Sequence, residues 1–144
     1  MKKEFESRDA KNSINKVRML EFTELGDHRG HIVVIEGGSD IPFDVKRVFY
    51  IYGTSSDVIR GQHANRHSSF CLINVKGKSK VKVIDQEGND KTLYLDRPNT
   101  GIYIPPMIWK DMFDFSSDSV LLVLSDAHYD EGEYIRDYSY FTGE

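Results

Sequence analysis

Residues 60–77 read Arg-Gly-Gln-His-Ala-Asn-Arg-His-Ser-Ser-Phe-Cys-Leu-Ile-Asn-Val-Lys-Gly, a polar cluster followed by an apolar run. In an extended chain, residues two apart project from the same face. His63 and Asn65 therefore share one face, and Arg60 lies near them. The apolar run that follows predicts a strand, Phe70–Val75. We expect the polar cluster to face the interior of a β-structure.

Similar short runs of Val, Ile, Phe and Tyr recur along the chain, separated by clusters of Gly, Asn, Asp and Ser. This spacing predicts an all-β protein. The nine predicted strands are Met19–Glu24, His31–Glu36, Val45–Tyr52, Phe70–Val75, Lys80–Ile84, Thr92–Leu95, Gly101–Ile104, Lys110–Phe115 and Val120–Leu124. The residues of the last run do not alternate with polar ones, which predicts a strand covered on both faces.

One segment departs from the β pattern. Asp130 is followed three residues later by Glu133, which resembles a capping box at the start of a helix. The sequence predicts a short C-terminal helix that runs through Tyr134, Ile135 and Tyr138.

Length, charge and cysteine content limit the class of protein. The 144 residues are enough for one domain. We expect a polar N-terminal arm or tail at residues 1–18 and a single domain at residues 19–144. A net charge of −4 argues against a nucleic-acid partner. The longest aliphatic run, Val120–Leu124, is far shorter than the roughly 20 residues that span a bilayer. Cys71 is the only cysteine, which fits a cytoplasmic protein.

The spacing from His63 to Gly77 resembles the first motif of the cupins, and residues 101–110 resemble the second. The resemblance implies a cupin jelly roll, also called a double-stranded β-helix, with the short C-terminal helix appended. The slots that hold metal ligands in many cupins contain His63, Asn65, Phe70 and Lys110. Phe cannot bind a metal, protonated Lys has no free lone pair and Asn is a poor ligand. We therefore expect no metal and no other cofactor.

A second resemblance covers about residues 20–141 and is more specific. The chain is similar to the sugar 3,4-ketoisomerases, small cupins that act on a dTDP-linked 4-keto-6-deoxyhexose. The matching segments include residues 27–30, 60–64, 114–118 and 129–136. The resemblance implies an isomerase of deoxysugar biosynthesis that moves the keto group of dTDP-4-keto-6-deoxyglucose from C4 to C3 through an enediol. It also implies a homodimer, often with an exchanged N-terminal strand.

This reaction needs a base whose pKa lies near neutrality, and histidine is the side chain that meets this condition. The family places its base at the position of His63. The enediolate also needs a hydrogen-bond donor where negative charge develops. Asn65, Arg29 or Lys110 could supply it, and the sequence leaves the choice open.

The diphosphate of the substrate calls for placed cations, preferably Arg side chains that make paired bonds to phosphate oxygens. Arg47 and Arg60 match Arg positions of the family. Phe49 shares a face with Arg47 on its predicted strand, so we expect Phe49 to line the substrate pocket.

Two departures keep an alternative open. Asn65 replaces the second His of the common motif, and Phe70 stands where many members carry Gln. Asn cannot carry a proton at neutral pH. The alternative is a cupin that binds a nucleotide-sugar without converting it. A metal-dependent cupin is a third interpretation, which the missing ligands disfavour.

Overall fold

Two five-stranded sheets and a separate hairpin make up most of the structure, a computed structural model that describes residues 11–143. The strands are β1 (Arg18–Glu21), β2 (Thr23–Asp27), β3 (Gly30–Val34), β4 (Arg47–Tyr52), β5 (Arg60–Asn65), β6 (Phe70–Lys76), β7 (Ser79–Ile84), β8 (Asp90–Leu95), β9 (Thr100–Ile104), β10 (Trp109–Phe113), β11 (Val120–Ser125) and β12 (Tyr134–Ile135). One α-helix, α1 (Tyr138–Thr142), follows them, and 3₁₀ turns lie at Ile14–Lys16 and Glu131–Glu133.

The order of the strands is that of a jelly roll. One sheet has the order β1-β9-β6-β11-β4 and the other has the order β12-β5-β10-β7-β8. Every strand pair in these sheets is antiparallel, and most neighbours are distant in sequence. Strands β2 and β3 form their own two-stranded sheet. The prediction of an all-β cupin jelly roll with a short C-terminal helix is confirmed.

The core lies between the inner faces of the two sheets. On β7, Val81 and Val83 point inward and are fully buried. On β11, Leu121 and Val123 point inward, whereas Leu124 packs into a second cluster on the outer face of the same sheet. The prediction that this strand is covered on both sides is confirmed. Cys71 is fully buried in the outer cluster.

The N-terminal part of the chain is in contact with this core. Val17 is buried in the inner cluster, and its carbonyl accepts a hydrogen bond from the Lys91 ammonium at 3.0 Å. The predicted strand Met19–Glu24 is two strands, because the chain breaks at the buried Phe22 between them. Residues 1–10 of the expected arm lie outside the described residues, and the domain boundary at residue 18 stays a prediction.

The predicted helix begins later than the sequence indicated. Asp130 does cap a turn, but it is a 3₁₀ turn of three residues. Tyr134 and Ile135 then form β12, which pairs with Asn65 and Ala64 of β5. The edge of β5 offers unpaired backbone groups that a nearby extended segment can satisfy. The helix itself starts at Tyr138 behind a second cap, Asp137, so the prediction that it includes Tyr134 and Ile135 is wrong.

No helix within residues 11–143 is long and apolar enough to cross a bilayer.

Candidate active site

A cavity of about 130 Å³ opens between the two sheets. Four of the residues predicted for the site line it: Phe49, Arg60, His63 and Lys110. Phe70, from the predicted motif, and Tyr134 also contribute to its wall. The fold therefore brings together, around one cavity, predicted residues that are far apart along the chain.

Gly61 sets the geometry of this cavity. Its φ is +88°, a conformation that L side chains rarely adopt, and a Cβ there would lie only 2.8 Å from the Lys110 carbonyl oxygen. Strands β5 and β10 approach closely at this point, and the ladder shifts register just after Lys110. Lys110 is thereby paired directly with His63, and both residues line the cavity.

The His63 imidazole is held in one tautomer. Its Nδ1 lies 2.9 Å from the Gly61 carbonyl oxygen. A carbonyl only accepts hydrogen bonds, so Nδ1 carries the proton and Nε2 keeps a free lone pair. Burial, followed by the charge of Lys110, lowers the pKa of His63 to about 3, although the bond to Gly61 opposes the shift. The ring is therefore neutral at physiological pH, and its pKa lies well below the near-neutral value that the sequence analysis expects for the base. Tyr134 packs against it with ring centroids 4.8 Å apart.

Lys110 is a buried cation with few partners. Its Nζ donates to the Asn65 Oδ1 at 3.0 Å and lies 4.7 Å from the centroid of the Phe70 ring. Burial lowers the pKa of Lys110 to about 7, and the charge of Glu133 opposes the shift. The ammonium and the neutral amine are thus both accessible near neutrality.

Asn65 is buried next to Lys110 and lies close to the carboxylate of Glu133. Glu133 was predicted as a helix-capping residue, but it is buried and accepts hydrogen bonds from the backbone amides of His67 and Ser68 at 3.1 and 3.0 Å. The Ser68 hydroxyl also donates to it. Burial would raise the pKa of Glu133, but these hydrogen bonds outweigh burial and hold the pKa below its usual value. Sequence reasoning missed this anchor because the capping pattern already accounted for the residue.

Arg47 lies beside the cavity in an aromatic setting. Its guanidinium carbon is 5.5 Å from the centroid of the Phe49 ring, 5.9 Å from that of Phe70 and 5.6 Å from that of Tyr129. Its Nε and Nη2 are buried and have no hydrogen-bond partner within the part of the chain that the structure describes. A half-buried arginine with two buried, unused donors is suited to an anion that approaches from outside.

Arg29 is the predicted site residue that lies elsewhere. It stands in the turn between β2 and β3, where it is exposed and paired with Asp27 at 2.6 Å. It does not line the cavity around His63 in its own chain. That Arg29 contacts the sugar stays a prediction.

The donors for a metal are sparse. Within residues 11–143, no three His, Cys, Asp or Glu side chains cluster in a way that could hold a metal ion.

Comparisons with known proteins agree with this geometry. Residues 15–144 match the family model described as FdtA, WxcM-like, C-terminal. The chain is 39% identical over 124 residues to the TDP-4-oxo-6-deoxy-alpha-D-glucose-3,4-oxoisomerase of Aneurinibacillus thermoaerophilus, covering 86% of this chain and 88% of that protein.

Solved structures give the same result. The sugar 3,4-ketoisomerase QdtA from Thermoanaerobacterium thermosaccharolyticum, in complex with TDP, superposes with a TM-score of 0.87 at 39% identity, covering 91% of this chain and 95% of QdtA. WlaRA from Campylobacter jejuni, a TDP-fucose-3,4-ketoisomerase, has a TM-score of 0.83 at 38% identity, covering 88% and 93% of the two chains.

The fold and the cavity define a cupin-type barrel with an acid–base pocket between its sheets. Within that class, the chain belongs to the FdtA, WxcM-like, C-terminal family.

The tautomer and low pKa of His63 can be tested by NMR. We expect the ¹⁵N spectrum to show a protonated Nδ1 and an unprotonated Nε2, with no further protonation on acidification to about pH 5, well above a pKa of about 3. A His63→Gln variant identifies the signals by their absence. A protonation midpoint near neutrality would contradict the described environment.

Proposed function

We propose that this protein is a sugar 3,4-ketoisomerase that converts TDP-4-keto-6-deoxyglucose to its 3-keto isomer. The named relatives support the reaction and the substrate. One observation carries the assignment to this chain: His63, whose Nε2 is unprotonated, lines a cavity that is also lined by the buried Lys110. A neutral base and a nearby cation are what the formation of an enediol requires.

The imidazole can serve both carbons in turn. Nε2 takes the proton from C3, the electrons of the C–H bond form the C3–C4 double bond, and the carbonyl oxygen at C4 becomes an enol oxygen. The imidazolium then returns the proton to C4 as the C3 oxygen becomes a carbonyl. Because burial disfavours the imidazolium, it is a strong acid that does not retain the proton.

This chemistry uses no metal in our proposal. Asn65, Phe70 and Lys110 stand in positions that hold ligands in metal-binding cupins, and none of them is a good ligand in this setting. Asn65 is instead a positioning residue, since its Oδ1 holds the Lys110 ammonium.

The nucleotide would lie along the arginines at the mouth of the cavity. The unused donors of Arg47 and the exposed guanidinium of Arg60 can bind the diphosphate, and Phe49 forms the wall between the phosphates and the sugar. Charge-assisted bonds from planar guanidinium groups suit phosphate oxygens.

We also propose a homodimer in which the β2–β3 hairpin of one copy reaches the cavity of the other. The hairpin has its own two-stranded sheet and exposes Leu25, Ile32 and Val34, which a partner would cover. This arrangement would bring Arg29 to the sugar. A nucleotide-linked substrate and a lone buried cysteine support a cytoplasmic location.

The alternative is a cupin that binds a TDP-sugar without turnover. The observation in its favour is Asn65, because an amide cannot carry a proton.

Turnover in deuterated water separates these two functions. We expect the protein to exchange the C3 hydrogen of TDP-4-keto-6-deoxyglucose and to form the 3-keto product. The His63→Gln variant should lose about 10²–10⁴-fold in kcat, since Gln accepts no proton, while its TDP affinity is retained. Binding of the substrate by the wild type without exchange above the buffer rate would support the binding protein.

Arg47 is expected to contribute to the affinity for TDP. Arg47→Met keeps the contact with the aromatic rings but removes hydrogen bonds to a charged group, each worth about 1.5–3 kcal/mol. Titration calorimetry with TDP should therefore show a loss of at least about tenfold in affinity. The matched control, Arg97→Met, changes an exposed arginine outside the cavity and should bind TDP like the wild type.

The shared site can be tested by mixing two impaired variants, Arg29→Ala and His63→Gln. If each cavity combines His63 of one copy with Arg29 of the other, re-association should restore roughly a quarter of the wild-type activity, because half of the dimers are mixed and each has one intact site. Light scattering on each sample reports the oligomeric state. No recovery in mixtures shown to contain mixed dimers would place Arg29 outside the site.

A further inference from the structure

A 3,4-keto transposition moves two protons. One travels from C3 to C4, and the other leaves the hydroxyl oxygen at C3 while the oxygen at C4 gains one. A single imidazole that serves the carbons does not account for the oxygens. If the protein has the proposed function, another group of this chain must serve them.

The chemistry of the side chains around the cavity limits which group can carry protons to and from the substrate oxygens. Asn65 is buried next to it but is an amide and cannot release or accept a proton near neutrality. Arg60 carries a guanidinium, and a guanidinium does not serve as a proton carrier in proteins. The ring of Tyr134 packs against the His63 imidazole. The guanidinium carbon of Arg136 lies 4.7 Å from the centroid of the Tyr134 ring.

We propose, on the basis of the proposed function, that Lys110 is the second proton carrier, which protonates the oxygen at C4 and deprotonates the oxygen at C3 while His63 moves hydrogen between the carbons. The pairing of β5 with β10 places Lys110 directly opposite His63, and both line the same cavity. Asn65 Oδ1 takes one of the three ammonium donors, at 3.0 Å, which leaves two for substrate oxygens.

The steps balance and restore the starting state. His63 takes the C3 proton, the C–H electron pair forms the C3–C4 double bond, and the carbonyl π pair moves to the C4 oxygen, which takes a proton from the Lys110 ammonium. The resulting enediol faces an imidazolium and a neutral amine. The amine takes the proton of the C3 hydroxyl, that O–H pair forms the new carbonyl, and the π pair takes the His63 proton at C4.

The electrostatics of the cavity favour this exchange. The two side chains are close enough for the charge of Lys110 to lower the pKa of His63. If Lys110 gives up its proton as His63 gains one, the pair carries one positive charge throughout and never two. Burial lowers the pKa of Lys110 to about 7, so the amine is accessible at the pH of the reaction, and Glu133 keeps the ammonium from being lost altogether.

Lys110→Arg separates a proton carrier from a fixed charge, because Arg keeps the charge and the donors but does not deprotonate. We expect kcat to fall by about 10²–10⁴-fold with TDP affinity unchanged. Lys110→Met, which is slimmer and uncharged, should lose as much and guards against an Arg that does not fit. The matched control is Lys82→Arg, at a half-buried lysine of β7 that does not line the cavity.

A rescue experiment gives the decisive readout. Asn65→His in the Lys110→Arg background places a titratable ring beside the cavity and should recover at least about tenfold of the lost activity. A Lys110→Arg variant that turns over at the wild-type rate, or a loss that Asn65→His does not relieve, overturns the role of Lys110 while the isomerase stands. A wild-type chain that binds TDP without turnover overturns the proposed function and this inference with it.

Discussion

The close contact between β5 and β10 at Gly61 is the constraint on which the site depends. A Cβ at position 61 would lie only 2.8 Å from the Lys110 carbonyl oxygen, and the φ of +88° is one that L side chains rarely adopt, so the position requires glycine. The same residue offers its own carbonyl to His63 Nδ1. One glycine thus sets the spacing of two strands, the pairing of His63 with Lys110 and the tautomer of the imidazole. A side chain at position 61 would change the strand spacing, the residue pairing and the tautomer together. The register shift after Lys110 marks where the strand ladder accommodates the close contact.

The two titratable groups that share the cavity lower the stability of the fold as the pH falls. The unfolded chain protonates His63 near the ordinary histidine pKa of 6.5, whereas the folded chain resists protonation until about pH 3. The pKa of Lys110 is likewise lower in the folded chain, about 7 instead of 10.5, so the unfolded chain also binds more protons between these pH values. In both ranges the unfolded state binds more protons, so stability rises with pH. The buried apolar faces of β11 and its neighbours offset the cost of keeping these groups out of water.

The sequence predicted what depends on local pattern. Alternation and turn residues located most strands, and the two-residue spacing placed His63 and Asn65 together. Long-range pairing was harder to predict. Asp130 and Glu133 do form a capping pattern, yet the turn ends after three residues because Tyr134 and Ile135 gain a ladder with β5. Glu133 is consequently drawn inward, where it binds the amides of His67 and Ser68. No local signal distinguishes a carboxylate that caps a helix from one that anchors a distant loop.

The position of Arg29 likewise depends on long-range arrangement and not on local pattern. The resemblance implies a place at the sugar, but Arg29 lies in a hairpin that forms its own sheet, away from the cavity of its own chain, so its role depends on the proposed second copy. Arg47 shows the complementary case: its guanidinium rests among three aromatic rings with buried donors unused. Buried, unpaired donors cost stability in a free protein. In the proposed complex the diphosphate would accept hydrogen bonds from these donors and so recover that cost.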